Sequence, residues 1–144
     1  MAQSVGLQVT TTPKDLAQVS KKAQKGVLKG VPRAVLRTGV YGMGIIKERT
    51  ADGRGYLGAF RAYSPEYMAT LSKEGKPTSP VDLFNTGQML RSMQTRRKDK
   101  RTSEIYFDNK EAAEKAAMNN KSRPFFGFNR QEEKALGVFF RKQL

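Results

Sequence analysis

The feature that most constrains the fold is a four-residue repeat of apolar side chains in the first third of the chain. The repeat consists of Val19, Ala23, Val27, Val31 and Val35. Because residues four apart lie on one face of an α-helix, the repeat predicts one long amphipathic helix from Lys14 to about Thr38. Gly30 and Pro32 interrupt the pattern and predict a kink near residues 28–32.

A row of basic residues has the same spacing, two residues out of step with the apolar row. It consists of Lys21, Lys25, Lys29, Arg33 and Arg37. Two residues correspond to about 200° of helix rotation, so the two rows lie on opposite faces. The basic row is either an ordinary solvated face or a surface that contacts DNA or an acidic partner. A solvated face usually mixes both signs of charge, whereas Asp15 is the one acid between residues 14 and 37.

The chain as a whole is strongly basic. Its 144 residues include 27 Lys and Arg against 13 Asp and Glu, which gives a net charge of +14. Such a surplus sets up a positive field that attracts a polyanion or an acidic protein surface. These numbers are typical of a binding or assembly protein.

The composition offers little catalytic or metal-binding chemistry. There is no Cys and no His, which excludes disulfides and zinc sites built from sulfur and nitrogen ligands. No Ser or Thr has a His to deprotonate it. The carboxylate pairs Glu111/Glu114 and Glu132/Glu133 lie near predicted helix N-termini, where acids stabilise the helix dipole. We therefore expect no enzyme activity, no catalytic residue, no metal and no cofactor.

One sequence motif matches a nucleotide-binding fingerprint, but the residues on either side of it do not fit that function. Gly53, Gly55 and Gly58 form Gly-x-Gly-x-x-Gly. A dinucleotide-binding fingerprint follows a buried strand and opens a helix. Here the polar segment KERTAD precedes the glycines, and AFRAYSP follows them instead of a helix. The pattern indicates a turn.

The length and patterning predict one domain after a short N-terminal segment. Residues 1–13 are polar and Thr-rich, and are either a flexible arm that orders only against a neighbour, which we favour, or an edge strand. Residues 14–144 then form a single domain with a small core. No stretch approaches the roughly 20 apolar residues of a membrane span, and the N-terminus lacks a signal peptide, so we expect a soluble chain with no membrane contact.

Local signals beyond the first helix predict a mixture of helices and strands. The helix can restart through Gly42 to Arg49 before a Gly-rich turn. Ser64 and Pro65 open a short helix that stops at Gly75. Alternation in Met89 to Thr95 and in Glu104 to Asp108 predicts a β-hairpin.

The hairpin tip carries a second group of cations. It consists of Arg96, Arg97, Lys98, Lys100 and Arg101. The cluster is either a charged turn that blocks edge-to-edge aggregation or a contact to phosphate or to an acidic partner.

The last third of the chain has clear helix signals. An Ala-rich helix runs from Asn109 to about Met118, and residues 123–128 are extended because Pro124 disfavours a helical predecessor. Asn129 with Glu132 fits a capping box that begins a C-terminal helix. Leu136, Phe139 and Phe140 are predicted to lie on one face of this helix.

Aromatic side chains form the remaining group of candidates. Phe125, Phe126 and Phe128 lie between Arg123 and Arg130 and could stack on single-stranded bases. Packing in the core or at a subunit interface is the interpretation we favour for these rings. The full set of candidate packing or interface residues is Tyr63, Tyr67, Phe125, Phe126, Phe128, Phe139 and Phe140.

Three segments, in order, resemble one protein family. They are DGRGYLGAFRAYSPEYMATLSKEGK, DLFNTGQMLRSM and RPFFGF followed by NRQEEKALGVFF. Together they are similar to the virion-morphogenesis proteins of tailed bacteriophages, the tail-completion or head–tail joining components of the neck. The resemblance covers the chain from about residue 30 to its end.

The resemblance implies a fold and a role. The fold is α+β, with a long N-terminal helix and a C-terminal helix packed on a small antiparallel β-sheet. The role is that of a homo-oligomeric ring, a hexamer, around the DNA channel between the connector or adaptor and the tail terminator or tail tube. The ring has no cofactor, belongs to the virion and assembles in the host cytoplasm, and packaged double-stranded DNA passes through its lumen.

Two other classes of function stay open at this stage. One is a basic module that binds duplex DNA through the same helix face. The other is a tail terminator or head-closure protein, which shares size, charge and ring symmetry with a tail-completion protein. An enzyme built on the scattered carboxylates is the least supported alternative.

Overall fold

The computed structural model describes residues 6–10, 21–79, 81, 83 and 87–144, with side chains described from residue 30 onward in the first helix. The strands are β1 Gly6–Thr10, β2 Arg54–Gly55, β3 Gly58–Ala59, β4 Met93–Asp99 and β5 Thr102–Phe107. The helices are α1 Lys21–Ala51, α2 Pro65–Lys73, α3 Gln88–Arg91, α4 Lys110–Ser122 and α5 Arg130–Lys142. The fold is α+β, as the sequence predicts.

The long helix α1 continues past its predicted end. The pattern predicts an end near Thr38 with a restart at Gly42, whereas α1 runs unbroken to Ala51 with Pro32 inside it. Its predicted first residues, 14–20, lie outside the described part, and the kink stays a prediction. The helix continues through Gly39 and Gly42 because both admit a close neighbour: a Cβ would lie 2.5 Å from Ser103 Oγ at Gly39 and 2.7 Å from Phe128 Cζ at Gly42. Tertiary packing therefore outweighs the low helix propensity of glycine.

The main sheet is antiparallel, with strand order β1-β5-β4. The predicted hairpin is confirmed, with Met93 opposite Phe107 and Arg96 opposite Glu104. Its strands are displaced from the predicted bounds, because Met89 lies in α3 and is buried there. A register shift between Arg97 and Asp99 marks the approach to the tip.

The N-terminal segment contributes an edge strand. Gly6–Thr10 pair with β5 in antiparallel register, Gly6 opposite Tyr106 and Thr10 opposite Thr102. For these five residues the edge strand, the less favoured alternative, is correct. The favoured prediction, an arm that orders only against a neighbouring subunit, is wrong for them. The rest of the predicted arm, residues 1–5 and 11–13, lies outside the described residues.

The Gly-rich segment after α1 is a tight turn. Gly53 and Gly58 have φ of 79° and 122°, values that favour glycine. A Cβ on Gly55 would lie 1.7 Å from the Pro124 carbonyl oxygen, so this position also requires glycine. The segment follows a helix and forms the two-stranded β2–β3 ribbon, which confirms the turn interpretation.

Three predicted helix starts, those of α2, α4 and α5, are confirmed by their caps. The Ser64 side chain accepts a hydrogen bond from Tyr67 N, and Asn109 accepts one from Ala112 N. At α5 the capping box is complete, with Glu132 N donating to Asn129 Oδ1 at 2.8 Å and Asn129 N donating to Glu132 Oε1 at 3.0 Å. Such caps satisfy the N–H groups that the first turn of a helix leaves unpaired.

The core lies between α1, the sheet and the segment before α5. Phe125 is fully buried and belongs to one cluster with Ile46, Met93, Ile105 and other apolar residues. Residues 123–128, predicted to be extended, lie in neither a helix nor a strand, and Arg123 before Pro124 has a non-helical φ of −135° and ψ of 87°. Asn120 Oδ1 accepts hydrogen bonds from the amides of Phe125 and Phe126 at 3.1 and 3.0 Å, which holds this segment in the core.

Candidate functional site

The two predicted basic groups lie at one end of the molecule because α1 runs antiparallel to β4. Ile46 shares a core cluster with Met93, at the start of β4. Further back along the helix, Ser103 Oγ donates to the Val35 carbonyl oxygen at 2.9 Å, close to the hairpin tip. The N-terminal half of α1 therefore points toward the tip.

Helix α5 brings more cations to the same end. It runs antiparallel to α1, since Glu132 near its start pairs with Arg49, while Phe140 near its end packs against Val31 and Val35. Arg141 and Lys142, in its last turn, are exposed there. Sequence reasoning missed these two residues, although cations are common in the last turn of a helix, where they stabilise the helix dipole.

We call described residues 30–37, 96–104 and 137–144 the basic end. Its cations are Arg33, Arg37, Arg96, Arg97, Lys98, Lys100, Arg101, Arg141 and Lys142, and its acids are Asp99 and Glu104. Exposed charges of one sign on three adjoining elements add their fields, which attracts polyanions by a salt-screened interaction.

The predicted cations of the basic end differ in their contacts. Arg33 and Arg37 are exposed, and Arg37 Nη1 donates to Gln143 Oε1 at 3.3 Å. The predicted Lys21, Lys25 and Lys29 belong to α1, and their side chains lie outside the description. Arg97, Lys98, Lys100 and Arg101 are exposed around the tip.

Arg96 has structural partners of its own. Its Nε and Nη2 both lie 2.9 Å from Glu104 Oε2 across the hairpin, and its guanidinium carbon lies 4.0 Å from the centroid of the Tyr106 ring. These contacts orient the guanidinium along the outer face of the sheet. Arg96 is therefore a weaker candidate for contacting DNA than its neighbours Arg97 and Lys98.

The candidate aromatic residues divide into core and surface. Phe125 and Phe126 are buried, so their rings are not accessible for stacking on nucleic-acid bases. Phe140 is buried against α1, and the half-buried Phe128 contacts the helix at Gly42. Phe139 stacks in parallel on Tyr41 with ring centroids 4.3 Å apart.

The Tyr41–Phe139 pair belongs to an apolar surface. Tyr41 and its neighbour Val40 on α1 are 41% and 50% exposed, and Val138 beside Phe139 is 43% exposed. Large exposed apolar side chains that adjoin one another mark a surface for protein contacts more often than isolated ones do. We call the stacked rings of Tyr41 and Phe139 the apolar patch.

A cleft of about 620 Å³ lies where three chain segments meet around Tyr63. Arg123 donates to the carbonyl oxygens of Arg61 and Ala62 at 3.1 and 2.9 Å, and its guanidinium carbon lies 4.8 Å from the centroid of the Tyr63 ring. Leu83 N donates to the Tyr63 hydroxyl at 3.0 Å. Because Arg123 bonds to backbone, its role is to join segments.

Tyr67 completes the aromatic wall of this cleft. Its ring meets the Tyr63 ring edge-on, with centroids 4.8 Å apart. Edge-to-face pairs of this kind stabilise the packing beyond the area that they bury. The predicted Tyr63 and Tyr67 therefore form one local cluster.

A buried ion pair joins the end of α1 to the start of α5. Arg49 Nε lies 3.2 Å from Glu132 Oε2, with the side chains 8% and 15% exposed. Arg49 Nη2 also donates to the Gly127 carbonyl oxygen, whereas Nη1 has no hydrogen-bond partner among the described residues. Burial lowers the pKa of the Arg49 guanidinium, and the charge of Glu132 opposes that shift.

Two of the four carboxylates weighed as catalytic candidates, Glu132 and Glu111, have structural partners. Glu132 caps α5 and pairs with Arg49, and Glu111 lies 3.3 Å from Lys115 one turn along α4. Among the described residues, no three His, Cys, Asp or Glu side chains lie close enough to hold a metal ion.

Comparison with known proteins gives no relative: no family model, no curated protein and no solved structure matches the chain. Within the part of the chain that the structure describes, no helix has the length and apolar character needed to cross a membrane.

Proposed function

We propose that the chain is a non-enzymatic structural subunit of the bacteriophage neck. In this proposal it forms a ring, a hexamer, around the DNA channel, and links the connector to the tail tube as a tail-completion or head–tail joining protein of the virion. Tail termination and head closure are the neighbouring roles within the same class.

The observation that carries the proposal is the meeting of the three resembling segments around Tyr63. Tyr63 comes from the first segment, Leu83 from the second and Arg123 from the third, and hydrogen bonds or ring contacts link them. Segments separated by 61 positions in sequence thus form one structural unit. This supports treating the three motifs as parts of a single pattern rather than as unrelated short matches.

Two surfaces agree with a ring subunit. The basic end suits a lumen through which packaged DNA passes, because it offers exposed cations from three elements. The apolar patch suits a contact between subunits, since Tyr41 is 41% exposed and Phe139 is only half-buried. A ring needs both kinds of surface at once.

The test is the assembly state of the purified chain. Light scattering with size-exclusion chromatography and negative-stain microscopy should show rings, alone or on addition of purified phage connector or tail-tube subunits. A chain that stays monomeric and binds neither component contradicts the proposal.

DNA binding separates the neck subunit from its main rival, a basic DNA-binding module. The rival requires the monomer itself to bind duplex DNA with steep salt dependence, whereas a neck subunit needs its ring to present the cations together. Fluorescence anisotropy with a labelled duplex, measured on monomer and ring fractions, distinguishes the two. Tight binding by the monomer favours the module.

Changing two cations at the hairpin should alter the salt dependence of DNA binding by the assembled protein. Arg97→Ala with Lys98→Ala removes two exposed charges beside the tip. Each lost phosphate contact makes the negative slope of log affinity against log salt shallower by about 0.9, so we expect its magnitude to fall by about 1.8. Lys73→Ala, at an exposed position in α2 outside the basic end, should leave the slope unchanged. Equal slopes for all three proteins would remove the hairpin from the DNA-contacting surface.

A further inference from the structure

The outer side of strand β1 is an unpaired sheet edge beside a groove. In the described sheet β1 pairs with β5 on one side, and its other side has no strand partner. Backbone N–H and C=O groups along such an edge are a template for another strand. The groove next to this edge has a volume of about 490 Å³.

The far wall of the groove is one face of α5. Glu133, Leu136, Gly137 and Phe140 line it at the spacing that places residues on a single helix face. The floor includes Val35 and Thr38 of α1. A sheet edge facing a helix across an apolar floor fits an extended peptide, whose backbone pairs with the edge while alternate side chains enter the groove.

The two ends of the groove differ in charge. Both β1 and α5 run antiparallel to α1, so they run parallel to each other. The exposed Glu133 therefore lies at the end where β1 begins. The other end is basic. There Thr10 pairs with Thr102, which follows Arg101, and Arg141 and Lys142 follow Phe140. An occupant matches this polarity when it places a cation at the Glu133 end and acids at the basic end.

We propose that this groove binds an extended segment of a partner protein by strand addition to β1. The segment has alternating apolar side chains, acidic residues at the basic end and a basic residue beside Glu133. It runs antiparallel to β1, because antiparallel pairing is the more stable arrangement per residue. The proposal goes beyond the role in the neck, since it concerns a protein ligand and does not depend on a ring.

Gly137 gives a sharp test, because a side chain there fills the groove without disturbing the fold. A Cβ on Gly137 would meet Arg141 Nη1 at 3.4 Å, which is an ordinary contact. Gly137→Leu also replaces a glycine inside a helix with a better helix former. Gly44→Leu is the matched control, since Gly44 is a helical glycine with nothing within 4 Å of its added Cβ.

The probe is a fluorescent peptide, blocked at both ends, that begins with two glutamates, alternates valine with threonine and ends with lysine. The wild-type chain and Gly44→Leu should bind it saturably and with equal affinity. Gly137→Leu should bind it about tenfold more weakly or worse, because its side chain occupies the space of the peptide's inward residues, while its thermal midpoint is unchanged or higher. Hydrogen exchange should slow at the β1 amides when the peptide binds.

Reversing one charge tests the polarity of the site. Glu133→Lys should prefer a peptide in which glutamate replaces the terminal lysine, whereas the wild-type chain prefers the original, because the substitution reverses only the charge beside position 133. Failure of the wild-type chain to bind either peptide overturns the proposal, as does equal binding by Gly137→Leu. A wild-type chain that self-associates while Gly137→Leu is monomeric makes a second copy the occupant and overturns the choice of partner. Displacement of the peptide by duplex DNA also overturns the choice of a protein partner.

Discussion

Replacing Phe125 with alanine is expected to lower the free energy of unfolding by about 3–5 kcal/mol, the range for a large aromatic residue removed from a close-packed core. Phe125 is fully buried, and its ring centroid lies 6.0 Å from that of Phe126, which in turn packs 5.1 Å from Phe107. The substitution leaves a cavity where α1, the sheet and the segment before α5 meet. Urea denaturation followed by circular dichroism measures the change.

The matched control is Phe139→Ala, at a half-buried ring. Phe139 stacks on the partly exposed Tyr41 ring, so its removal leaves no enclosed cavity and should cost less than half as much. Equal costs for the two substitutions would mean that Phe125 is not at the centre of the core. A loss of about 3–5 kcal/mol is a large part of the 5–15 kcal/mol by which typical domains are stable, so the variant is best measured at low temperature.

Local signals in the sequence predict the helix starts well. The caps at Ser64 and at Asn129 with Glu132 depend on residues three positions apart, so the sequence contains all of the interaction. The β-hairpin is predicted for the same reason, because its two strands are adjacent in sequence and alternate in polarity.

The end of α1 could not be predicted, because the reason for it lies elsewhere in the chain. Gly39 and Gly42 resemble helix breakers in isolation, yet each is where another element approaches the helix closely. Ser103 meets the first and Phe128 the second. A glycine that ends a helix and a glycine that admits a neighbour have the same local sequence, so only the tertiary contacts separate them.

The candidate site could likewise be predicted only in part, because its residues are brought together by tertiary contacts. The sequence identifies the basic row of α1 and the cations of the hairpin separately, but their meeting at one end depends on the direction of α1 relative to β4. Arg141 and Lys142 join that end only because α5 runs antiparallel to α1. The groove beside β1 likewise needs three elements to be placed before it exists.

The pairing of Arg49 with Glu132 leads to the second large effect. Glu132→Ala removes the partner of a buried guanidinium and one half of the α5 capping box. Breaking a buried ion pair by deleting one partner costs about 3–5 kcal/mol, because the remaining charge stays in a poorly solvated site. The pKa of Arg49, already lowered by burial, loses the opposing influence of Glu132 and falls further.

Two control variants separate the charge from the cap. Glu132→Gln keeps an oxygen that can accept from Asn129 N, so its loss of stability, measured by urea denaturation, reports the ion pair alone. Glu133→Ala, at the exposed neighbouring position, should change stability by about 0.5 kcal/mol or less. If Glu132→Ala is as mild as Glu133→Ala, Arg49 is adequately solvated without its partner. If Glu132→Gln is nearly as harmful as Glu132→Ala, most of the stabilisation at the junction of α1 and α5 comes from the charge rather than from the cap.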